Sequence, residues 1–470
     1  MADLKRVLAE GTTKRIGKKI KLQGWVNSIR DHGKLMFIDL RDRSGIVQCV
    51  GSDLPKVTSE SVVEIAGEVS KRPEKLVNPK IPTGKVEVKI EKLKVLSLAK
   101  EVPIPLNTDG LDIDETMRLK YRYLDLRRKR MNKIVRLRSE VSKGARDYLH
   151  SQDFVEIETP MLTKSTREGA RDFIVPSRHN PGKFYALPQA PQQYKQLLMV
   201  SGFEKYFQLA RCIRDEDLRA DRGYEHTQID IEISFVDREG VMLLIENLVN
   251  NIAKKVGSKV KDVKFPVYDY KDAIEKFGAD KFDLRDDSEK KKGVLAFAWV
   301  INFPFFKEVN KEDLAEVEDS TSGWTFTHNP FSNPIKRHLK QHLKGNNIGE
   351  IITDQYDLVC NGYEIGGGSI RANDPKVLKQ TFRIMGFDDE KIEDSVGHML
   401  KAFEYGAPPH GGIALGLDRL TMIIAGETSL KETIAFPMTS TGKTAVMDAP
   451  SDVSEEQLEE LGIRMIEKDE

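Results

Sequence analysis

Two apolar runs, Tyr206 to Ile213 and Ile229 to Phe235, enclose a stretch dominated by charge, Arg214-Asp215-Glu216-Asp217-Leu218-Arg219-Ala220-Asp221-Arg222. This pattern constrains the chain more than any other: it reads as two strands joined by a charged hairpin loop, of the kind that can close over a nucleotide. Far downstream stands Gly416-Leu417-Asp418-Arg419. An arginine offers a planar fork of donors matched to phosphate oxygens and stays charged at any physiological pH. Arg214 and Arg419 are therefore read as phosphate ligands, and the two motifs as grips on the two ends of one triphosphate.

Composition narrows the field. A chain of 470 residues is expected to hold two or three domains, each with its own core. Lys plus Arg and Asp plus Glu both number 74, so a polyanionic partner would have to be met by local basic patches and not by net charge. Cys49, Cys212 and Cys360 are scattered, with no CxxC pair and no HExxH, which predicts neither a disulfide framework nor a structural zinc site. No apolar run approaches the roughly 20 residues of a membrane span, and Met1-Ala2-Asp3-Leu4-Lys5-Arg6 lacks the apolar segment of a signal peptide. The expectation is a soluble protein of the reducing cytoplasm, with no membrane partner.

Between Lys18 and Val102, strands are predicted at Ile20–Ser28, Lys34–Arg41, Ile46–Val50, Ser61–Val69 and Val86–Val95. Five strands at this spacing predict a small barrel of the OB type, a platform that often binds single-stranded nucleic acid. The connector from Leu106 to Lys133 carries Arg127-Arg128-Lys129-Arg130, which reads as a nucleic-acid backbone contact or as a solvated helix face. Helical spacing of Ile134, Leu137, Val141, Ala145 and Leu149 predicts a helix from Lys133 to His150. A strand follows at Phe154–Thr159, and a core helix is predicted over Glu239–Val256. Ser454 with Gln457 forms a capping box for a short final helix. Asp357 to Glu364 reads as one apolar-rich strand with a carboxylate at each end, ligands suited to magnesium on phosphates.

Several segments fall in a familiar order: Gly24-Trp25-Val26, Phe37-Ile38-Asp39-Leu40-Arg41-Asp42, Arg118-Leu119-Lys120-Tyr121-Arg122-Tyr123-Leu124-Asp125, Glu225-His226-Thr227-Gln228-Ile229-Asp230, Gly362-Tyr363-Glu364-Ile365-Gly366-Gly367-Gly368-Ser369 and Pro409-His410-Gly411-Gly412. With the two arginine motifs they resemble the class II aminoacyl-tRNA synthetases over nearly the whole chain, and within them the bacterial-type aspartyl-tRNA synthetase family. The resemblance implies an α+β multidomain protein: an OB-fold anticodon-binding domain at 1–105, a hinge at 106–132, and a class II catalytic domain at 133–470 built on an antiparallel sheet flanked by helices. It implies a homodimer joined through the Phe154–Pro160 element. It implies a ligase that uses ATP and Mg2+ to activate L-aspartate as aspartyl-adenylate and then charges tRNA(Asp). The family's extra domain of roughly a hundred residues is expected to be absent, since only the polar linker Asp283–Lys292 stands at its place.

Carried over position by position, the resemblance assigns Arg214 to the α-phosphate and the substrate carboxylate, and Arg419 to the γ-phosphate. It assigns Asp215, Glu216, Gly223, His226, Glu364, Gly416, Leu417 and Asp418 to ATP, and Asp357 and Glu364 to magnesium. Aspartate is expected to meet Glu168 on a mobile loop, Gln192, Lys195, Arg214, Asp230, His328 and Arg371. Arg371 and Lys195 would take the side-chain carboxylate, so that asparagine would leave both cations uncompensated. The triple glycine would let backbone approach the ligand. Three positions depart from the family: Asn329 replaces a second histidine after His328, His226 replaces a phenylalanine that stacks on adenine, and Gly223 replaces a polar side chain.

In the barrel, Arg30, Phe37 and Gln48 fall at the positions of anticodon readers. His32, in Asp31-His32-Gly33-Lys34, resembles the relaxed form that also charges tRNA(Asn), whose product an amidotransferase later converts. A lysine- or asparagine-specific synthetase is disfavoured by the Gly-Gly-Gly-Ser-Ile-Arg segment, and an asparagine synthetase relative by the barrel. A noncatalytic RNA-binding paralogue would be expected to lose Arg214, Arg419, Asp357 or Glu364, and all four are present.

Overall fold

The computed structural model describes residues 4–166, 169–312, 317 and 320–466. It divides into two units, Met1–Pro105 and Leu106–Glu470.

In the first unit β1 (Lys19–Asp31), β2 (Met36–Asp42), β3 (Gly45–Gly51), β4 (Val62–Lys71) and β5 (Val86–Ser97) close into a barrel in the order β1-β2-β3-β5-β4. Alternation along β1 sends Ile20, Leu22 and Val26 inward, where they meet Ile38, Val47, Ile65 and Val88. Closure leaves no sheet edge open to another chain.

The second unit contains β6 (Val155–Glu156), β7 (Ile174–Pro176), β8 (Phe184–Ala186), β9 (Lys205–Ile213), β10 (Glu225–Ser234), β11 (Val267–Asp269), β12 (Phe297–Ile301), β13 (Phe306–Glu308), β14 (Trp324–Phe326), β15 (Gln355–Cys360), β16 (Tyr363–Ile370) and β17 (His410–Gly416). Eight of them form one sheet in the order β11-β12-β15-β16-β17-β10-β9-β6, while β7-β8 and β13-β14 are separate ribbons. The six central strands are antiparallel, but β11 on β12 and β6 on β9 are parallel, so the sheet is mixed and not purely antiparallel. Parallel neighbours need a crossover, and the helices Gln192–Val200 and Tyr270–Phe277 lie within those two connections. One face of the sheet packs Ile229, Ile231, Ile413 and Leu415 against Val141, Ala145 and Leu149 of the Lys129–Ser151 helix and Ile245, Leu248 and Ile252 of the Arg238–Val256 helix.

Several local differences have clear causes. The strand expected at Phe154–Thr159 shortens to β6. β10 begins at Glu225, before its apolar run, because Glu225, His226 and Thr227 pair with Ile213, Cys212 and Arg211 of β9 whatever their side chains. Asp357 and Glu364 lie on two strands and not one: Asn361 and Gly362 adopt φ 53° and 91°, the two-residue turn whose twist suits a hairpin. The final helix, Glu455–Leu461, carries the Ser454–Gln457 capping box. The shortened segment near Asp283 folds on itself, with Asp286 and Glu289 capping the Asp287–Lys291 helix.

The connector is welded into the second unit. Arg118, Arg122 and Arg128 are buried around Asp125, and Arg122 also donates to the carbonyls of Lys431, Ile434 and Ala435. Burial opposes ionisation of Asp125, but Arg118 and Arg128 prevail and hold its carboxyl below the usual range. Arg130 pairs with Glu427 at 2.7 Å and Glu432 at 2.8 Å. Arg128 and Arg130 are thus engaged inside the fold, which corrects their reading as nucleic-acid contacts. Among the described residues no helix is long and apolar enough to cross a membrane.

Candidate active site

A cleft of about 560 Å³ opens over β10, β16 and β17. It gathers Gln192, Lys195, Arg214, Glu216, Gly223, His226, Asp230, His328, Glu364, Arg371, Gly416, Asp418 and Arg419, residues far apart in sequence. Two expected ATP residues are elsewhere. Leu417 is 1% exposed and belongs to the core. Asp215 does not line the cleft; its backbone N–H donates to the Arg171 carbonyl at 3.0 Å. Glu168 lies outside the described residues.

At one end four buried charges interlock. Lys195 Nζ lies 2.6 Å from Asp230 Oδ1 and 3.3 Å from Glu232 Oε2. Arg371 donates through Nε and Nη2 to both oxygens of Glu232, at 2.9 and 3.1 Å, and through Nη1 to Ser369 Oγ at 2.9 Å. Burial works against the Glu232 charge, yet Arg371 and Lys195 hold its carboxyl at about 2. Asp230 is pushed up by burial against the pull of Lys195, and its Oδ2 is buried with no partner among the described residues. That oxygen suits an ammonium group. The expectation that Arg371 and Lys195 stand uncompensated without a substrate carboxylate is corrected, because Glu232 already faces both. What remains for a ligand are the cations' unused N–H donors. Glu232 was missed in the sequence. Its signal is the polar period-two face Gln228, Asp230, Glu232, Ser234 on a strand whose other face is apolar.

Arg214 and Arg419 line the other end of the cleft. Among the described residues the Arg214 guanidinium makes one weak hydrogen bond, to the Gln189 carbonyl at 3.4 Å, and no ion pair. Arg419 Nη1 donates to the Glu364 carbonyl and Nη2 to the Asp221 carbonyl at 3.2 Å, while its buried Nε has no partner among the described residues. The loop between β9 and β10 is closed by the Arg214 N–H on the Tyr224 carbonyl at 2.8 Å, and Arg222 holds Glu216 at 3.2 Å. Burial, then Arg214, Arg419 and Arg211, drive the His226 imidazole down to about 3, so it is a neutral aromatic plane at physiological pH. Asp418 is not free for ATP: Oδ2 accepts the Thr227 N–H at 2.8 Å and Oδ1 accepts Arg138 Nε at 3.1 Å. It ties the Leu417–Ala425 helix to β10 and so positions Arg419.

The carboxylates offered to a metal stand in two layers. Glu364 is at the cleft wall. Asp357 lies behind Gly367, where an added Cβ would come within 2.9 Å of Asp357 Oδ1. Its Oδ1 accepts Gln355 Nε2 at 2.7 Å and its Oδ2 faces His328 Nε2 at 3.1 Å. His328 therefore turns one nitrogen to Asp357, which raises the imidazole's proton affinity against the opposing effect of burial. Among the described residues no three His, Cys, Asp or Glu side chains form a metal cage. A magnesium ion held largely by phosphate oxygens needs only one or two carboxylates, which Glu364 in front and Asp357 behind fit. Gly366 and Gly368 are needed by the sheet, since a Cβ there would meet the Ala414 and Gly412 carbonyl oxygens of β17 at 2.3 and 2.1 Å, and Gly366 and Gly367 also line the cleft.

On the barrel, Phe37 is half-buried and outside the barrel core. His32 meets it edge-on at 5.6 Å, and the Arg30 guanidinium lies 6.0 Å from its ring centre. Arg30 donates to Gln48 Oε1 at 3.2 Å, and Gln48 donates to Glu87 at 3.1 Å. Arg30, His32 and Phe37 thus form one patch of ring faces and polar groups, with Gln48 buried beneath it.

Residues 114–440 match the family described as tRNA synthetases class II (D, K and N), and residues 20–96 match the OB-fold nucleic acid binding domain. The chain belongs to the class II tRNA synthetases. A curated relative, the aspartate–tRNA ligase of Staphylococcus aureus strain NCTC 8325 / PS 47, is 38% identical over 96% of this chain and 97% of its own. That alignment runs over 573 positions against 470 residues here, so the relative carries a large segment with no counterpart in this synthetase. Among solved structures, asparaginyl-tRNA synthetase from Pyrococcus horikoshii complexed with asparaginyl-adenylate superposes with a TM-score of 0.72 at 23% identity, covering 93% of this chain and 98% of that one. A putative aspartyl-tRNA synthetase from Leishmania major Friedlin gives 0.72 at 19% identity, covering 93% and 94%. Both share the fold.

Proposed function

We propose that this synthetase is an aspartate–tRNA ligase that makes aspartyl-adenylate from L-aspartate and ATP and passes the aspartyl group to tRNA(Asp) and also to tRNA(Asn). The observation that carries this is a single cleft with the Lys195–Asp230–Glu232–Arg371 tetrad at one end and the two motif arginines at the other. The name and 38% identity of the Staphylococcus aureus relative support aspartate as the amino acid.

Asp230 Oδ2 receives the aspartate ammonium, and the spare donors of Arg371 and Lys195 receive its side-chain carboxylate. Arg214 holds the α-carboxylate against the α-phosphate. An oxygen of that carboxylate attacks the α-phosphorus, the bond to the bridging oxygen breaks, and pyrophosphate leaves with the electron pair. The terminal adenosine hydroxyl of tRNA then attacks the acyl carbon and AMP departs. Neither step uses a protein nucleophile, so catalysis rests on positioning and charge neutralisation by Arg214 and Arg419. Glu364, with Asp357 behind it, would hold magnesium, which would supply further charge neutralisation at the pyrophosphate. The neutral His226 ring packs on adenine.

Arg30, Phe37 and Gln48 read the anticodon, and His32 at the rim widens the choice to tRNA(Asn), whose product an amidotransferase converts. The exposed apolar residues Val155, Met161 and Leu162 around β6 favour a homodimer through this segment. The cytoplasm is the place of work. Aspartate charging of purified tRNA(Asp) and tRNA(Asn), assayed separately with ATP and magnesium, tests the proposal. Charging of both is expected; charging of tRNA(Asp) alone overturns the role of His32, and charging of neither overturns the ligase reading.

A further inference from the structure

Lys281 stands two residues ahead of the shortened Asp283–Lys292 segment, and no sequence motif gives it a role. Its Nζ lies 2.9 Å from Glu364 Oε2, and it lines the cleft. The placement is built in. The adjacent Phe282 is buried and stacks on Phe277 with ring centres 4.1 Å apart. The Phe282 carbonyl accepts the N–H of Gly362 at 3.0 Å, in the turn that leads to Glu364. Lys281 and Glu364 are thus set opposite each other by backbone and aromatic packing, not by their charges alone.

The pair adds little to the fold, because the Lys281 side chain is 45% exposed and such ion pairs are weak. Its chemical setting is more telling. Arg419, the second phosphate arginine, donates to the Glu364 carbonyl. Two cations and the front metal carboxylate therefore converge on one wall, at the end of the cleft away from the amino-acid tetrad.

We propose that Lys281 is a third phosphate-binding cation, whose ammonium rests on Glu364 in the free protein and engages the β- and γ-phosphate oxygens when ATP enters. An ammonium has three donors on a flexible stem, so it can leave or share Glu364 without any movement of the backbone. This rests on the synthetase reading of the cleft.

The test uses the full-length protein with Lys281→Ala and Lys281→Arg, by calorimetric titration of ATP and of AMP and by aspartate-dependent ATP–pyrophosphate exchange. Lys281→Ala is expected to weaken ATP and pyrophosphate by about 10- to 100-fold, the worth of one charge-assisted hydrogen bond. AMP affinity and the KM for aspartate should stay unchanged, and Lys281→Arg should restore most of the loss. Equal weakening of ATP and AMP, or no weakening of either, overturns the proposal. Thermal melting identifies a variant that fails to fold; the decision then falls to Lys281→Arg, which must keep the stronger binding of ATP over AMP. Absence of exchange in the unmodified protein refutes the synthetase reading, whereas normal exchange there with an unaltered Lys281→Ala refutes Lys281 alone.

Discussion

Replacing Glu232 by glutamine preserves size and removes one charge from the centre of the buried cluster formed with Lys195, Asp230 and Arg371. Glu232 is fully buried and meets Arg371 at 2.9 and 3.1 Å and Lys195 at 3.3 Å. Burial alone would raise its carboxyl, but these cations hold it at about 2 against an ordinary 4.5. At about 1.4 kcal/mol for each tenfold change, the gap corresponds to about 3 kcal/mol. Removing one partner of a buried pair leads independently to about 3–5 kcal/mol. The sign is that of a depressed acid: the stabilisation is complete above the unfolded value and disappears as pH falls through the folded one. Urea unfolding near neutral pH should therefore find Glu232→Gln about 3 kcal/mol less stable than the parent, and the gap should narrow steadily in acid. Arg371, released from its fork, should lose orientation, so the KM for aspartate should rise while that for ATP stays. A variant within about 0.5 kcal/mol of the parent at neutral pH, or a gap that does not close in acid, would refute the argument.

On the proposed role of Arg419 in neutralising charge on the nucleotide, Arg419→Ala should reduce ATP–pyrophosphate exchange by at least about 100-fold, with little effect on stability. His226→Phe should bind ATP as well as the parent or better. Since His226 is already neutral, its replacement should leave the pH dependence of ATP affinity above about pH 5 unaltered, as fluorescence or calorimetric titration can check. His32→Leu should lower charging of tRNA(Asn) by about 10-fold while sparing tRNA(Asp), a difference of one good contact. Equal loss with both tRNAs would remove His32 from the specificity argument.

The local rules of the chain determined a good deal. Alternating apolar residues in Lys19–Ser97 were sufficient for five strands, because period-two burial needs no knowledge of partners. The helical stripe in Lys129–Ser151 and the capping box at Ser454 are likewise properties of a few neighbouring residues. The two arginine motifs marked Arg214 and Arg419 as candidate phosphate ligands because arginine's chemistry does not depend on where the chain puts it. Only tertiary structure decided what each charge faces. Arg128 and Arg130 look identical to solvent-exposed cations in sequence, yet Asp125, Glu427 and Glu432 take them inside. Asp418 and Arg419 are adjacent and both reach the cleft, but one is locked to Thr227 and Arg138 while the other keeps a buried Nε with no partner among the described residues. Glu232 and Lys281 acquired their roles from partners more than eighty residues away, Arg371 and Glu364. A charge's meaning is set by its counter-charge and its burial, and both are produced by long-range pairing of strands that no local pattern encodes.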